Sequence, residues 1–182
     1  ILSTSIAAAV GGLLVLSFVP DGPYLSTTPR LNLRAVQMVF RVREVRASAF
    51  SYFGHMWELY TFWAFTPFLL SAYSVMHPEA QFNVSLWSFF IIGAGSIGCV
   101  AGGIVSQKVG SARVAFVQLC LSGLCCLLLR LFLGLQFPLF VAAMVFWGIV
   151  VVGDSPQFSS LTAAFSPKEL VGSALTIANC IG

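Results

Sequence analysis

The sequence predicts an all-α fold, a polytopic bundle of transmembrane helices, and three observations predict it. Of the 182 residues, 58% are hydrophobic and only 8% are charged, where an ordinary soluble domain carries about 25% charge. Nine basic and six acidic residues cannot cover the surface of a soluble fold of this size. Those charges are clustered, so several apolar tracts reach the roughly 20 residues needed to cross a bilayer. The tracts also lack the alternating polarity of half-buried strands. Backbone that faces lipid must satisfy its hydrogen bonds within its own segment, so each tract reads as a helix.

Residues 1–20 form the first segment, apolar throughout. It has no basic leading region and no small-residue cleavage site, which argues against a signal peptide. Residues 21–46 are the one sizeable polar stretch, a basic linker in which Pro20, Gly22, Pro23 and Pro29 break any helix. Beyond them Arg30, Arg34, Gln37, Arg41 and Glu44 recur at helical spacing, with Ala35, Met38, Val39, Val42 and Val45 on another side. A charged connector is the plain reading. A basic amphipathic helix on the membrane surface and a strand through the alternation Val36, Met38, Phe40 and Val42 are the alternatives.

Residues 47–76 make a long aromatic segment that opens the second-half bundle. Residues 84–105 are rich in small side chains, and Gly98 with Gly102 forms a Gly-xxx-Gly pair near Gly95 and Gly103, a signal for close helix packing. Residues 114–135 are rich in Leu, Phe and Cys. Residues 137–161 run through Phe146-Trp147-Gly148 into Gly153-Asp154-Ser155-Pro156-Gln157. Residues 170–182 begin a sixth segment, too short to span at about 1.5 Å per residue. The chain is therefore expected to be a piece of a longer protein.

With six alternating segments, one face receives the linker, the loop near Ser106–Arg113 and the loop Ser166–Glu169. That face holds eight of the nine basic residues; only Arg130 lies near the other. The excess of Lys and Arg puts the linker in the cytoplasm, so the net charge of +3 reflects topology and gives no reason to expect nucleic acid. The five cysteines, Cys99, Cys120, Cys125, Cys126 and Cys180, all fall in apolar segments without metal-ligand spacing and are expected to be small buried hydrophobes. No nucleotide loop, zinc-ligand spacing or Gly-x-Ser-x-Gly elbow is present, so neither an enzyme nor a metal or cofactor is expected.

Two acids stand where they are expensive. Glu58 lies mid-segment in Gly54-His55-Met56-Trp57-Glu58-Leu59-Tyr60, and a carboxylate there costs roughly 2–3 kcal/mol unless it faces a cavity or a partner. His55 precedes it by one turn on the same face, close enough for the two to share a proton. Glu58 and His55 are therefore candidates for proton coupling, against the plainer possibility that a protonated Glu58 pins a neighbouring helix. Trp57 and Tyr60 are candidates to line a cavity. Asp154 is the second acid. Pro156 frees a backbone carbonyl one turn back, so a kink is expected there, and Asp154, Pro156 and Gln157 become candidates for a gate. The plainer reading has Asp154 near the cytoplasmic end, paired with Lys168 or Arg113.

The stretch Gly103-Ile104-Val105-Ser106-Gln107-Lys108-Val109-Gly110-Ser111-Ala112-Arg113 resembles the cytoplasmic signature of the major facilitator superfamily. That signature reads roughly Gly-x-Leu-Ala-Asp-Arg-x-Gly-Arg-Lys. Gly103, Lys108, Gly110 and Arg113 match, the last basic residue is displaced, and Gln107 departs from the usual acid. The stretches around Arg43-Glu44-Val45-Arg46 through Trp57-Glu58-Leu59-Tyr60, and Asp154-Ser155-Pro156-Gln157-Phe158-Ser159, are similar to segments of prokaryotic members. The resemblance implies that the six segments correspond to the sixth through eleventh helices of a twelve-helix carrier, with residues 1–20 ending its first half and most of that half absent here. It also implies a secondary active transporter that moves a small solute by alternating access, proton-coupled, multi-pass in the plasma or bacterial inner membrane. The implied partners are the solute, protons, the lipid bilayer and the N-terminal half. A non-transporting receptor or assembly subunit on a similar scaffold is the competing class.

Overall fold

The structure is a computed structural model that describes residues 2–19 and 33–182. It divides into two units, Ile1–Leu31 and Asn32–Gly182. The first contains α1 (Leu2–Phe18), an uncharged helix of Ala, Leu and Val. The linker residues 20–32, Arg30 among them, lie outside the described residues.

In the second unit every described element is helical: α2 (Leu33–Arg41), α3 (Arg43–Met76), α4 (Val84–Gly93), α5 (Gly95–Val109), α6 (Ser111–Phe132), α7 (Phe137–Gly153), α8 (Ser155–Phe165) and α9 (Val171–Ile181). Three stretches are long and apolar enough to cross a membrane: Val84–Val109, Ser111–Phe132 and Phe137–Phe165. Two of them are pairs of helices meeting at a single non-helical residue, Ala94 and Asp154. At 34 residues α3 is longer than any of these, but it carries Glu58, His55 and three charges in its first turn. Shorter apolar helices lie at Thr4–Phe18 and Val171–Ile181.

Local chemistry sets the ends. Asn83 caps α4, its Oδ1 accepting from the Leu86 N–H at 3.0 Å. Pro138 sits in the first turn of α7, where its missing N–H costs nothing. Between α5 and α6 the loop expected over Ser106–Arg113 shrinks to one residue, Gly110. Its φ of 89° lies in the left-handed region that only glycine enters freely, and this lets two spans reverse without further linker. The strand alternative for residues 36–42 is overturned: Leu33–Arg41 is a helix, because its apolar positions serve one face at a period of 3.6. Val39 is fully buried among Val45, Ala49 and Ala174, so the apolar stripe of α2 packs on α3 and α9.

The main core lies where α3, α4, α6 and α7 meet, with Leu70, Tyr73, Ile91, Phe140 and Met144 at 1% exposure or less. The cysteines correct an expectation. Cys125 is buried and Cys99 partly so, but Cys120 and Cys126 are exposed, because α6 turns only one stripe inward and its remaining apolar faces point outward; Cys180, near the end of α9, is exposed as well.

Glycines bring α4 and α5 against α7. A Cβ at Gly98 would collide with the Ile149 carbonyl, one at Gly148 with the Ile91 carbonyl, and one at Gly95 with the Val152 side chain. Backbone cannot move aside as a side chain can. Gly98→Ala is therefore expected to cost about 1–3 kcal/mol, while Gly54→Ala and Gly123→Ala, where an added Cβ meets nothing, are expected to cost none. Thermal unfolding of the three variants in detergent checks this ordering.

The turn after α3 is tied to the turn after α6. Tyr73 Oη donates to the Leu135 carbonyl at 2.8 Å, and its ring stacks on Phe140 and His77 with centroids 4.0 and 4.3 Å away. His77 faces two acceptors, Glu79 Oε1 at 3.2 Å and the Leu133 carbonyl at 3.0 Å. The Glu79 carboxyl is held below its ordinary range, first by its own backbone N–H and then by His77. A depressed carboxyl stabilises the fold where it is ionised. Its contribution is therefore complete above about pH 4.5, the ordinary value, and fades as the pH falls below it. Glu79→Gln is expected to flatten the fall of melting temperature between about pH 5 and 3; an unchanged slope would mean that other carboxylates control it.

Candidate functional site

Two polar constellations lie inside the apolar bundle, one fully buried and one centred on the half-buried Glu58, and α3 contributes to both. One turn apart on α3, His55 and Glu58 face inward, while Trp57 points out with 80% exposure. Opposite them the chain breaks. Pro156 has no N–H and its ring displaces the preceding turn, so α7 stops at Gly153 and α8 restarts at Ser155. The Asp154 carbonyl accepts from the Gln157 and Phe158 N–H groups at 2.9 and 3.2 Å. This interruption presents Asp154 and Ser155 side by side to α3.

His55 takes both. Its Nδ1 lies 3.0 Å from Asp154 Oδ1, and its Nε2 lies 2.5 Å from Ser155 Oγ. His55 is fully buried and Asp154 is 1% exposed, with the Phe158 ring 5.6 Å from the imidazole. The Nδ1–Oδ1 contact is at ion-pair distance, yet neither atom makes an aligned hydrogen bond. Next to this group Ser48 Oγ donates to the Phe158 carbonyl at 3.1 Å and lies 2.8 Å from Thr162 Oγ1, so α3 grips α8 by polar contacts beyond the break.

The second constellation is Glu58, Ser122 and Trp147. The Trp147 indole N–H donates to Ser122 Oγ at 3.0 Å, and the Ser122 hydroxyl donates to Glu58 Oε1. An indole can only donate. It occupies an acceptor position of the hydroxyl and leaves the single hydroxyl proton for Glu58. That oxygen of Glu58 is thus an acceptor in this arrangement, in its ionised or its protonated form. Trp147 is in turn fixed against Phe62, ring centroids 5.1 Å apart.

The structure therefore gives His55 and Glu58 separate partners: His55 reaches Asp154 and Ser155, and Glu58 reaches Ser122. The acid Asp154 meets His55 and not Lys168 or Arg113; among the described residues neither of those bases makes an ion pair. Gln157 is buried at 2% exposure one turn beyond the break. Trp57 and Tyr60 lie on the outer face of α3, where with Phe53, Phe65 and Ile181 they line an open cleft of about 460 Å³. In the signature stretch Gly110 makes the turn, and Lys108 and Arg113 are exposed at its two sides. A Cβ at Gly103 would meet open space.

Sequence reasoning missed Ser122, Trp147, Ser155 and Gln118. A signal existed for two of them: Gln118 and Ser122 stand four residues apart in the apolar middle of α6, between Arg113 and Arg130, which places two polar groups on one face. Gln118 packs against Gly153 and Gly102, and its Oε1 is buried without a partner. Comparison of the chain with protein-family models, with curated proteins and with solved structures gives no match.

Proposed function

We propose that the chain is part of a secondary active transporter of the major facilitator type, moving a small solute by alternating access and coupled to protons. The observation that carries this reading is the buried His55–Asp154 contact at the α7–α8 interruption, with Glu58 one turn away on α3. Ionisable groups inside an apolar bundle are expensive and mark ion and substrate paths, and discontinuous helices in a membrane are where carriers place such groups. A proton arriving at His55 or Asp154 changes the charge of a site that water does not screen, and so changes how firmly α3 holds the interrupted helix. The break supplies a joint, since Asp154 is the only residue between two helical pieces.

In this reading the linker 21–46 and the Gly110 turn face the cytoplasm by the distribution of Lys and Arg, in the plasma or bacterial inner membrane. The missing first half of the carrier closes the solute path against the second. The gate formed by Asp154, Pro156 and Gln157 is the moving part. Purified intact protein in liposomes, loaded with a pH-sensitive dye, tests the reading on a broad panel of solutes. At least one solute is expected to change the internal pH only when protein is present. Silence across the panel from folded protein would contradict proton coupling.

A further inference from the structure

Ser155 has no part in proton coupling, yet the break places it where a hydroxyl becomes reactive. Its Oγ lies 2.5 Å from His55 Nε2, and on the other side of the ring Nδ1 lies 3.0 Å from Asp154 Oδ1. With the ring proton on Nδ1, facing the carboxylate, Nε2 carries a lone pair and the Ser155 hydroxyl donates to it. A hydroxyl, a base and an acid that orients the base form the arrangement that activates serine as a nucleophile. It is set by geometry and not by chain order, so it can occur without a Gly-x-Ser-x-Gly elbow. The Asp154 contact is at ion-pair distance without an aligned hydrogen bond, and catalytic contacts of this kind tighten when a substrate binds. Burial is graded along the three. Asp154 is 1% exposed and His55 0%, while Ser155 is partly exposed and Pro156 beside it is exposed. The base is shielded from water, and the hydroxyl is the end that a ligand can reach.

We propose that Ser155 is an acylation site, taking the acyl group of an uncharged carboxylic ester with a long apolar chain. Ser155 Oγ attacks the ester carbonyl carbon as His55 Nε2 takes the hydroxyl proton. The tetrahedral intermediate collapses, the ester C–O bond breaks, and the leaving alcohol takes that proton from Nε2. The products are acyl-Ser155 and the free alcohol; nothing is oxidised or reduced, and the imidazole returns to its starting form. The surroundings set the class of donor. Ser155 begins α8 within the apolar stretch Phe137–Phe165, and the Phe158 ring lies 5.6 Å from the imidazole. A charged acyl donor would have to shed its water to arrive, which is costly. Because His55 is fully buried, water does not reach the base to remove the acyl group, and the adduct persists. Acylation also takes away the hydroxyl proton that Ser155 donates to His55, and with it one of the polar contacts by which α3 holds α8. This inference stands apart from the transport reading and rests only on the placement of the three side chains.

The test treats the intact protein in nanodiscs with a fluorophosphonate bearing a dodecyl chain and locates the labelled serine by peptide mass spectrometry. Label is expected on Ser155 and not on Ser160, which is more exposed on the same helix but is not the serine that His55 meets. Heat-unfolded protein is expected to take none. Ser155→Ala removes the label, and His55→Gln, in protein whose melting is checked, lowers its rate at least about hundredfold. Asp154→Asn disturbs the packing less and is expected to lower the rate by a similar factor. In that variant the His55 ¹⁵N shifts are expected to move from the Nδ1–H to the Nε2–H tautomer, a change that an acid with a purely structural role would not produce. With para-nitrophenyl dodecanoate as the donor, wild type is expected to release a burst of about one nitrophenolate per protein and to keep the acyl group on Ser155. Equal labelling of Ser155 and Ser160, labelling that survives unfolding, or an unchanged rate in folded Asp154→Asn and His55→Gln would each overturn the proposal. So would folded protein that takes no label, and so would steady nitrophenolate release with no acyl group retained.

Discussion

His55→Ala is expected to destabilise the protein by about 3–5 kcal/mol, the usual cost of removing one partner from a buried polar pair. Asp154 is 1% exposed, and the imidazole is the cation-forming group at its Oδ1. With the ring gone the carboxylate must take up a proton or draw water into the bundle, and Ser155 loses its partner as well. Asp154→Asn keeps the shape and leaves a neutral amide, so its cost is expected to be smaller. The two losses are not expected to add. In the double variant the charge that made His55→Ala expensive is absent, and a coupling of about 1–3 kcal/mol should remain. Equilibrium unfolding of the four proteins in one detergent measures the cycle. Strict additivity would show that the 3.0 Å contact carries no energy.

The Ser122 relay behaves differently under substitution. Ser122→Ala removes the hydroxyl that links Trp147 to Glu58 and leaves the indole N–H buried without an acceptor. The stability loss follows from that orphaned donor and is expected at about 1–3 kcal/mol.

Length and hydropathy made three of the expected segments legible, the stretches Val84–Val109, Ser111–Phe132 and Phe137–Phe165 that are long and apolar enough to cross a bilayer, because a bilayer imposes one dimension on every crossing segment. The interruption at Asp154 was legible too, since Pro156 cannot continue a helix whatever surrounds it. What the sequence could not show was pairing across helices. His55 and Glu58 are neighbours on α3, which suggests that they meet each other. Ser155, which His55 meets beside Asp154, lies 100 residues away in the chain, and Ser122, which Glu58 meets, lies 64 residues away, both on helices whose rotation no local pattern reports. The packing glycines were visible as a spacing, but the surfaces they meet were not: Gly98 needs the Ile149 carbonyl of another helix to explain it. Trp57 and Tyr60 mark the same boundary. Their aromatic character was evident, while the face of α3 they occupy, outside the buried network, follows only from which stripe His55, Met56 and Leu59 claim for the core.

The most direct measurement compares wild type and Glu58→Gln in liposomes, with a solute that moves protons in the wild type, following uphill accumulation under an imposed pH gradient and counterflow exchange without one. The amide keeps the shape of the side chain and still accepts from Ser122 through its oxygen, but it cannot take up and release a proton. Proton coupling at Glu58 predicts that gradient-driven accumulation falls at least about tenfold, equivalent to roughly 1.4 kcal/mol of lost driving force, while exchange persists. Uphill accumulation at the wild-type level in Glu58→Gln would contradict it.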